Sequence, residues 1–321
     1  MRNGTKIGLA AAALLILAGG ILFACGMSEL PWDFTKLSSD KYETNRYEIS
    51  ESFSNISIET DTADLLFALS DDGKCRVECY EEEKVKHSVA VAEDTLSVKV
   101  TDTRAWYDYI GITYSAPKIT VYLPETQYTS LFIDEDTGDI EMPKDFSFMH
   151  VDISLSTGAV KFSASASQQI KIRTSTGDLR VENVSAGALD LTVSTGMITV
   201  SDVVCQGDAS LKVSTGETNL TNMVCKNLAS EGSTGDAILK KVVAERMSIT
   251  RSTGDVRLDS VDAAEIFVET DTGDVVGSLL SDKVFITKTD TGRVDVPKTV
   301  TGGKCEIKTN TGDIRITIDP E

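Results

Sequence analysis

Acidic residues recur one position after the glycine of a repeated Thr-Gly pair, and Asp236, Asp255 and Asp274 hold this position in three consecutive repeats. If the repeats stack, these carboxylates form a single file, and Ca²⁺ takes about six to eight oxygen ligands. A calcium site at these three residues is therefore one hypothesis. Met197 and Arg293 interrupt the file, and calcium-binding β-roll repeats follow a nonapeptide pattern that is absent here. The alternative is that each carboxylate accepts hydrogen bonds from turn amides and otherwise faces water.

Two cysteines, Cys205 and Cys225, share a second fixed position, nine residues after the glycine in adjacent repeats. Stacking would place their Cα atoms about 5 Å apart, within the range that a disulfide spans. Other repeats hold alanine there, as at Ala186 and Ala244, which indicates a site for small side chains. The pair is predicted to be either a disulfide or two buried thiols.

The sequence offers few residues for a catalytic, zinc or nucleic-acid site. The chain has two histidines, His87 and His150, and a formal net charge of -19, which repels nucleic acid. No long insertion between repeats builds the cleft that paired catalytic carboxylates need. The sequence therefore predicts a protein that is not an enzyme, has no cofactor other than a possible calcium ion, and binds a protein or glycan rather than nucleic acid.

The repeat itself is the strongest signal, because the Thr-Gly pairs recur every 19 or 20 residues through the second half of the chain. Serine, aspartate or asparagine precedes each pair, and glycine supplies the positive φ of a tight corner. The ten turn glycines are Gly138, Gly158, Gly177, Gly196, Gly216, Gly235, Gly254, Gly273, Gly292 and Gly312.

Apolar residues keep the same phase on both sides of the turn, for example Ile170 and Ile172 before Gly177 and Leu179 and Val181 after it. Alternation with a period of two predicts strands with one buried face. One coil cannot bury that face alone, but stacked coils share a core. The predicted fold class is all-β, a parallel β-solenoid of about ten coils; an antiparallel sandwich is the alternative, with strands at less regular spacing.

The remaining segments divide the chain further. Residues 41–130 are rich in strand patterns without the regular spacing and are predicted to form an irregular N-terminal cap on the solenoid of residues 131–321. Asp61-Thr62-Ala63-Asp64 resembles one degenerate turn. Residues 29–40 form a juxtamembrane linker. The aromatic cluster of Trp106, Tyr107, Tyr109 and Tyr114 is either a partner-binding surface or ordinary cap packing.

Residues 1–28 are predicted to be a short cytoplasmic stub and a transmembrane anchor. Arg2 and Lys6 precede an uncharged run over residues 7–28, and about 20 apolar residues span a bilayer. The positive-inside rule places the N-terminus in the cytoplasm and the body outside. A cleaved signal peptide and a lipoprotein signal, with Leu22-Phe23-Ala24-Cys25 as a lipobox, are the alternatives.

Four motifs together resemble a bacterial family of adhesin-like proteins built from β-strand repeats. They are Trp32-Asp33-Phe34-Thr35-Lys36-Leu37, Lys41-Tyr42-Glu43-Thr44-Asn45, Ile119-Thr120-Val121-Tyr122-Leu123-Pro124 and the Ser-Thr-Gly-Asp repeats. The resemblance covers nearly the whole chain and implies a membrane-anchored envelope protein whose activity is unknown, with no catalytic residues to transfer. Some members resemble proteins of Gram-positive envelope stress modules, which implies a sensing role as an alternative.

Two functions follow as hypotheses. One is a surface adhesin or scaffold that binds a protein or glycan along its sheet faces, which an exposed stripe of aromatic side chains would favour. The other is a regulatory protein that senses envelope stress through a membrane partner, which a neighbouring gene for a sensor kinase would favour.

Overall fold

The computed structural model describes residues 3–29, 41–106 and 116–319. Within them are one helix, α1 (Asn3–Glu29), and 24 strands. The first seven strands are β1 (Tyr42–Ile49), β2 (Asn55–Thr62), β3 (Asp64–Leu69), β4 (Cys75–Glu82), β5 (Val85–Ala92), β6 (Thr95–Asp102) and β7 (Lys118–Leu123). The next nine are β8 (Gln127–Thr137), β9 (Ile140–Met142), β10 (Ser147–Thr157), β11 (Val160–Phe162), β12 (Ser165–Thr176), β13 (Leu179–Glu182), β14 (Ser185–Thr195), β15 (Ile198–Cys205) and β16 (Asp208–Thr215). The last eight are β17 (Thr218–Thr234), β18 (Ala237–Thr253), β19 (Val256–Thr272), β20 (Val275–Leu279), β21 (Lys283–Thr291), β22 (Val294–Asp295), β23 (Gly303–Thr311) and β24 (Ile314–Ile318).

The strands that precede the turn glycines stack in parallel, and equivalent residues of successive coils face one another. Thr157 of β10 lies between Thr137 of β8 and Thr176 of β12, so the threonine of each Thr-Gly pair faces that of the next coil. The strands that follow the glycines stack in the same way, as Val160 does with Ile140. The predicted parallel β-solenoid is confirmed, with about nine turns.

Parallel stacking also reaches the segment before residue 131. Strand β2 pairs with β8, where Thr62 faces Thr137, and the Ala63 amide donates to Thr137 O at 3.0 Å. Ala63 therefore holds the glycine position of this coil. Strands β1, β4 and β7 pair antiparallel, and β5 and β6 form an antiparallel hairpin. How residues 41–130 divide between cap and solenoid as folding units stays a prediction.

The last two coils are stacked in the reverse of their chain order. Strand β23 pairs with β19 on one side and with β21 on the other. The Gly273 amide donates to Thr311 O, and the Gly312 amide donates to Thr291 O, both at 2.9 Å. The coil of β21 is therefore the outermost, and the coil of β23, which comes later in the chain, lies between it and the coil of β19. The regular spacing of the glycines defines the phase of each coil but not which coils are neighbours.

The turn glycines are needed for stacking as well as for turning. Their φ angles lie between 125° and 157°, a region that favours glycine. A Cβ on Gly235 would stand 2.0 Å from the Gly216 carbonyl oxygen. A Cβ on any other turn glycine from Gly158 to Gly312 would stand 1.8 to 2.2 Å from the carbonyl oxygen of the turn glycine in the neighbouring coil. Each corner therefore packs backbone against backbone, with no room for a side chain.

A second corner lies six residues after the glycine and uses left-handed residues that carry side chains. Asn183, Asp202, Asn222, Lys241 and Ser260 have φ angles of 52° to 59°. Asparagine and aspartate tolerate this region because their short side chains bond locally, and Asn222 Nδ2 donates to Asp202 Oδ1 at 2.9 Å. Between the two corners, the alternating Val, Ile and Leu side chains form one continuous buried core.

Candidate interaction surface

The file of aspartates after the glycines forms a ladder of side-chain to backbone bonds. Asp236 Oδ1 accepts the Asp255 amide at 2.9 Å, and Asp255 Oδ1 accepts the Asp274 amide at 2.9 Å. Asp274 Oδ1 then accepts the Asp313 amide at 2.8 Å, because the swapped coil brings Asp313 beside it. Arg293 ends this ladder rather than interrupting it, and its amide donates to Asp313 Oδ1 at 2.9 Å.

The outer oxygens of the same ladder meet arginines. Arg257 donates to Asp236 Oδ2 at 2.6 Å and to Asp255 Oδ2 at 2.8 Å, and Arg315 lies 3.7 Å from Asp274 Oδ2. These half-buried carboxylates already have amide and guanidinium partners, as the turn-capping alternative requires. The calcium site at Asp236, Asp255 and Asp274 stays an untested prediction.

Cys205 and Cys225 lie on neighbouring rungs, because Val204 pairs with Val224 directly before them. Both are buried and free in the structure. Burial raises the pKa of Cys225 to about 12, and burial also raises the pKa of Cys205. The two thiols are therefore close to each other. They should react slowly, because the thiolate is the reactive form and burial disfavours it.

We expect oxidant to join Cys205 and Cys225 before any pair that includes Cys75, Cys79 or Cys305. Partial opening of the stack should accelerate the reaction, because it exposes the thiols. A closed loop of this size stabilises a protein by about 3 kcal/mol when the geometry is unstrained. Peptide mapping after oxidation, with and without low denaturant, checks this; a first bond to Cys305 would contradict the observed register.

The N-terminal region contains a buried polar cluster that no sequence pattern indicates. Glu81 Oε2 accepts the His87 backbone amide at 2.7 Å and lies 2.7 Å from His87 Nδ1. His87 Nε2 lies 2.9 Å from Thr60 Oγ1, and Asn45 donates to Glu81 Oε1 at 2.6 Å. No spacing links these residues, since β1, β2, β4 and β5 meet only in the fold.

This cluster is a closed hydrogen-bond network. Cys79, Glu81 and His87 bring potential metal ligands together, but two ligands of one tetrahedral zinc at about 2.0 Å stand about 3.3 Å apart. The 2.7 Å between Glu81 Oε2 and His87 Nδ1 is a hydrogen-bond distance instead. Thr60, His87 and Glu81 are linked in the order of a catalytic triad of nucleophile, base and acid. Thr60 is only 5 % exposed, however, so a substrate could not reach its hydroxyl. The network is typical of a structural support.

Beside this network lies Glu135, which faces Thr60 across β2 and β8. Glu135 is 2 % exposed, and neither carboxylate oxygen has a hydrogen-bond partner of regular geometry; the Ala63 amide nearby donates to Thr137 O. The pKa of Glu135 is raised to about 8. Burial is the largest cause, the negative charges of Asp64 and Asp139 add to it, and the backbone amide of Ala63 opposes it. A buried carboxyl with these neighbours is predominantly protonated at neutral pH.

At the same inward position of three other coils, the hydroxyls of Thr270, Thr289 and Thr309 each donate to the glycine carbonyl of the neighbouring coil. Thr270 donates to Gly254 O at 3.1 Å, and Thr309 donates to Gly273 O at 3.1 Å. The equivalent acceptor for Glu135 is Ala63 O. Both Ala63 O and Glu135 Oε1 crowd the Gly138 Cα, since a Cβ there would meet them at 2.1 and 2.5 Å. Protonated Glu135 can thus replace the threonine hydroxyl as a donor.

On the outer face of the solenoid, a recess of about 570 Å³ crosses five coils. Its floor holds one short side chain in each of three neighbouring coils, Ser210, Ala229 and Ser248, which face one another in register. Phe267 follows in the next coil. Strand alternation places the residues two positions before and after each floor residue on the same outer face. The floor is therefore a shallow trough between two files of longer side chains.

One file of the trough, which we call the rim, contributes one polar side chain per coil. In order along the stack the rim residues are Asp208, Asn227, Arg246, Glu265 and Lys304. Neighbouring rim side chains are paired: Asn227 donates a hydrogen bond to Asp208 at 2.6 Å, and Arg246 forms an ion pair with Glu265 at 3.2 Å. Across the floor, Lys212 pairs with Glu231 at 3.2 Å.

Aromatic side chains are sparse on this face in the residues that the structure describes. Phe267 lies in the fourth coil of the trough, beside Glu306 of the fifth coil. Lys308 Nζ is 5.3 Å from the Phe267 ring centroid, and Phe132 is exposed farther along the stack. Trp106 is 77 % exposed, but Tyr107, Tyr109 and Tyr114 of the predicted aromatic cluster lie outside the described residues, as do residues 30–40 of the predicted linker.

Helix α1 is apolar, and its described side chains are almost all exposed. Ala11–Ser28 is long and apolar enough to cross a membrane, and a signal sequence near an N-terminus meets the same requirement. The helix therefore fits a single-pass anchor or a signal.

Comparison with solved structures finds similar chains from Bacteroides and Parabacteroides species. A "putative adhesin" from Bacteroides fragilis is 16 % identical with a TM-score of 0.34, and covers 87 % of this chain and 99 % of its own. A "putative adhesin" from Parabacteroides merdae is 14 % identical with a TM-score of 0.44, covering 87 % and 98 %. A "putative lipid binding protein" from Parabacteroides distasonis is 11 % identical with a TM-score of 0.34, covering 87 % and 98 %.

Among curated proteins no match is found. The sequence profile of one family, Toastrack DUF4097, matches residues 53–222 and 206–321. These matches include the parallel stack, the turn glycines and the trough. With most of its length matched, the chain belongs to the Toastrack DUF4097 family.

Proposed function

We propose that this chain is a non-enzymatic surface protein of the cell envelope, which displays its solenoid to an extracellular partner as an adhesin or scaffold. The observation that carries the proposal is the trough, a recess that continues across five coils on an otherwise regular sheet face. A recess of this length suits an elongated partner that contacts one coil after another. The stacked coils hold the trough rigid, so little ordering of the protein opposes binding.

The proposed position of the solenoid outside the membrane depends on helix α1 and the charges that flank it. Arg2 and Lys6 precede the apolar run and Glu29 and Asp33 follow it, which favours a cytoplasmic N-terminus and a body outside the membrane. In this orientation the solenoid lies at the outer surface of the membrane, where the trough is available to a partner.

The proposal is tested by binding of the full-length protein, in detergent, to envelope material of the same cells. Ala229→Arg fills the trough floor with a long charged side chain, and we expect it to lower retention at least about tenfold, a loss typical of a central contact. Ser154→Arg is the matched control, because Ser154 faces outward on β10 of the same sheet face, outside the trough. Equal retention of both variants and the wild type would refute this surface as the binding site.

A second function, envelope sensing through a membrane partner, has one supporting observation. The buried ionisable groups Glu81, His87 and Glu135 lie in the part of the body that is closest in sequence to α1. A change in the protonation of Glu135, whose pKa burial raises to about 8, would alter the first coils of the stack. Co-purification of a partner that depends on the sequence of α1, and not on the trough, would favour this function over adhesion.

A further inference from the structure

We propose that the trough binds an uncharged glycan of β-linked pyranose units, with the glycan running along the solenoid axis. This inference rests on the proposed function and specifies the partner of the same surface. Three properties of the trough carry it: the spacing of the rim side chains, the state of the backbone beneath the floor, and the balance of charge around it.

The spacing of the rim matches a sugar chain. Neighbouring strands of a sheet are about 4.8 Å apart, so five coils span about 19 Å. Along that distance the rim offers one polar side chain per coil, from Asp208 to Lys304. An extended β-linked chain advances by nearly one coil spacing per pyranose, so each of about four sugars would meet one rim side chain. Three of these sugars would lie over the short floor side chains Ser210, Ala229 and Ser248, and the fourth would lie over Phe267.

A peptide fits the same surface poorly. An extended peptide advances about 3.3 Å per residue and places side chains on one face at about twice that distance, which is out of step with the rim. Extended peptides also gain affinity by pairing with a free strand edge. The strands under the floor, β16 to β19, have parallel partners on both sides in the trough segment, so no such edge is present there.

The charge around the trough complements a neutral partner. Asp208 is bonded to Asn227, Arg246 to Glu265 and Lys212 to Glu231, so the two files present donors and acceptors without a dominant sign. A polyanion or a polycation would break these pairs to bind. Sugar hydroxyls can instead add to them, since each donates and accepts.

In the fourth coil of the trough the floor changes from small side chains to Phe267, and in the fifth coil the floor residue is Glu306. The ring is partly exposed, and an aromatic face packs well against the apolar C–H face of a pyranose. The polar rim and this single ring together provide both contacts that a neutral sugar needs, hydrogen bonds at its edge and an apolar platform under its face.

The test is isothermal titration of the full-length protein in detergent with neutral β-linked oligosaccharides of glucose and of N-acetylglucosamine, two to six units long. We expect the affinity to rise with length up to about four units, the number of coil spacings that the trough spans, and then to level off. Ala229→Arg and Phe267→Ala should each weaken binding at least about tenfold, whereas Ser154→Arg should bind as the wild type does.

Three results would overturn the inference, and they separate it from the proposed function. If envelope binding is lost in Ala229→Arg but none of the oligosaccharides bind, the glycan is wrong and the surface stands. If oligosaccharides bind equally to Ala229→Arg and the wild type, the site is wrong. If neither envelope material nor oligosaccharide binds, the proposed function falls together with its partner.

Discussion

At pH 9, the Glu135→Gln variant is expected to be more stable than the wild type by up to about 5 kcal/mol, and at pH 4.5 the two should be nearly equal. Glutamine has the shape of the protonated acid and can donate to Ala63 O at every pH. The ionised glutamate cannot donate, and it places an uncompensated charge beside Asp64 and Asp139. Urea denaturation of both proteins across this pH range measures the difference.

The sign follows from proton binding. The pKa of Glu135 rises from its ordinary 4.5 to about 8 in the folded chain, so the folded state holds a proton that the unfolded state releases between these values. Stability from this residue therefore falls as pH rises from 4.5 to 8 and is constant above. Other groups nearby, including His87 and Glu81 behind Thr60 and Lys99 on β6, are present in both proteins and cancel in the comparison.

Two further variants make the Glu135 prediction specific. Glu245→Gln, at an exposed glutamate, should leave the pH dependence unchanged. Glu135→Ala removes the donor and leaves a cavity, so it should be less stable than the wild type at pH 4.5 by about 1–3 kcal/mol. If Glu135→Gln followed the same pH curve as the wild type, the carboxyl would be solvated or paired and the threonine-like bond would be disproved.

Gly235→Ala is expected to destabilise the protein by about 3–5 kcal/mol, more than an ordinary surface change. The new Cβ would stand 2.0 Å from the Gly216 carbonyl oxygen and 2.5 Å from its carbon, so two coils must move apart and the hydrogen bonds between them must lengthen. Backbone strain at a φ of 125° adds to this cost. The free energy of unfolding from urea denaturation measures the effect.

Gly73→Ala separates the two causes. Gly73 also has a positive φ, 71°, but a Cβ there has nothing within 4 Å. The cost of the left-handed conformation alone is about 1–2 kcal/mol, and we expect Gly73→Ala to lose no more than that. If both variants lost the same free energy, φ strain alone would explain the glycine column, and close stacking of the coils would not.

The Thr-Gly spacing by itself determined the solenoid. A glycine every 19 or 20 residues, with Val, Ile and Leu in constant phase around it, satisfies local turn chemistry and a shared core at once, and few other folds repeat both. The same phase placed Cys205 and Cys225 on neighbouring rungs, because a repeat converts distance along the chain into position across the stack. Local patterns were sufficient here because each coil contacts mainly its neighbours.

Only the tertiary structure decided contacts that no repeat encodes. The order of the last two coils depends on which strand fills the position beside β19, since residues 283–291 and 303–311 carry the same Thr-Gly pattern. His87, Glu81 and Thr60 meet because β4 and β5, which lack the repeat, fold against β2 of the first coil. The trough depends on which short side chains line up across coils and on the longer ones beside them. In each case the deciding interaction joins residues distant in sequence, whose positions follow from packing of the whole stack.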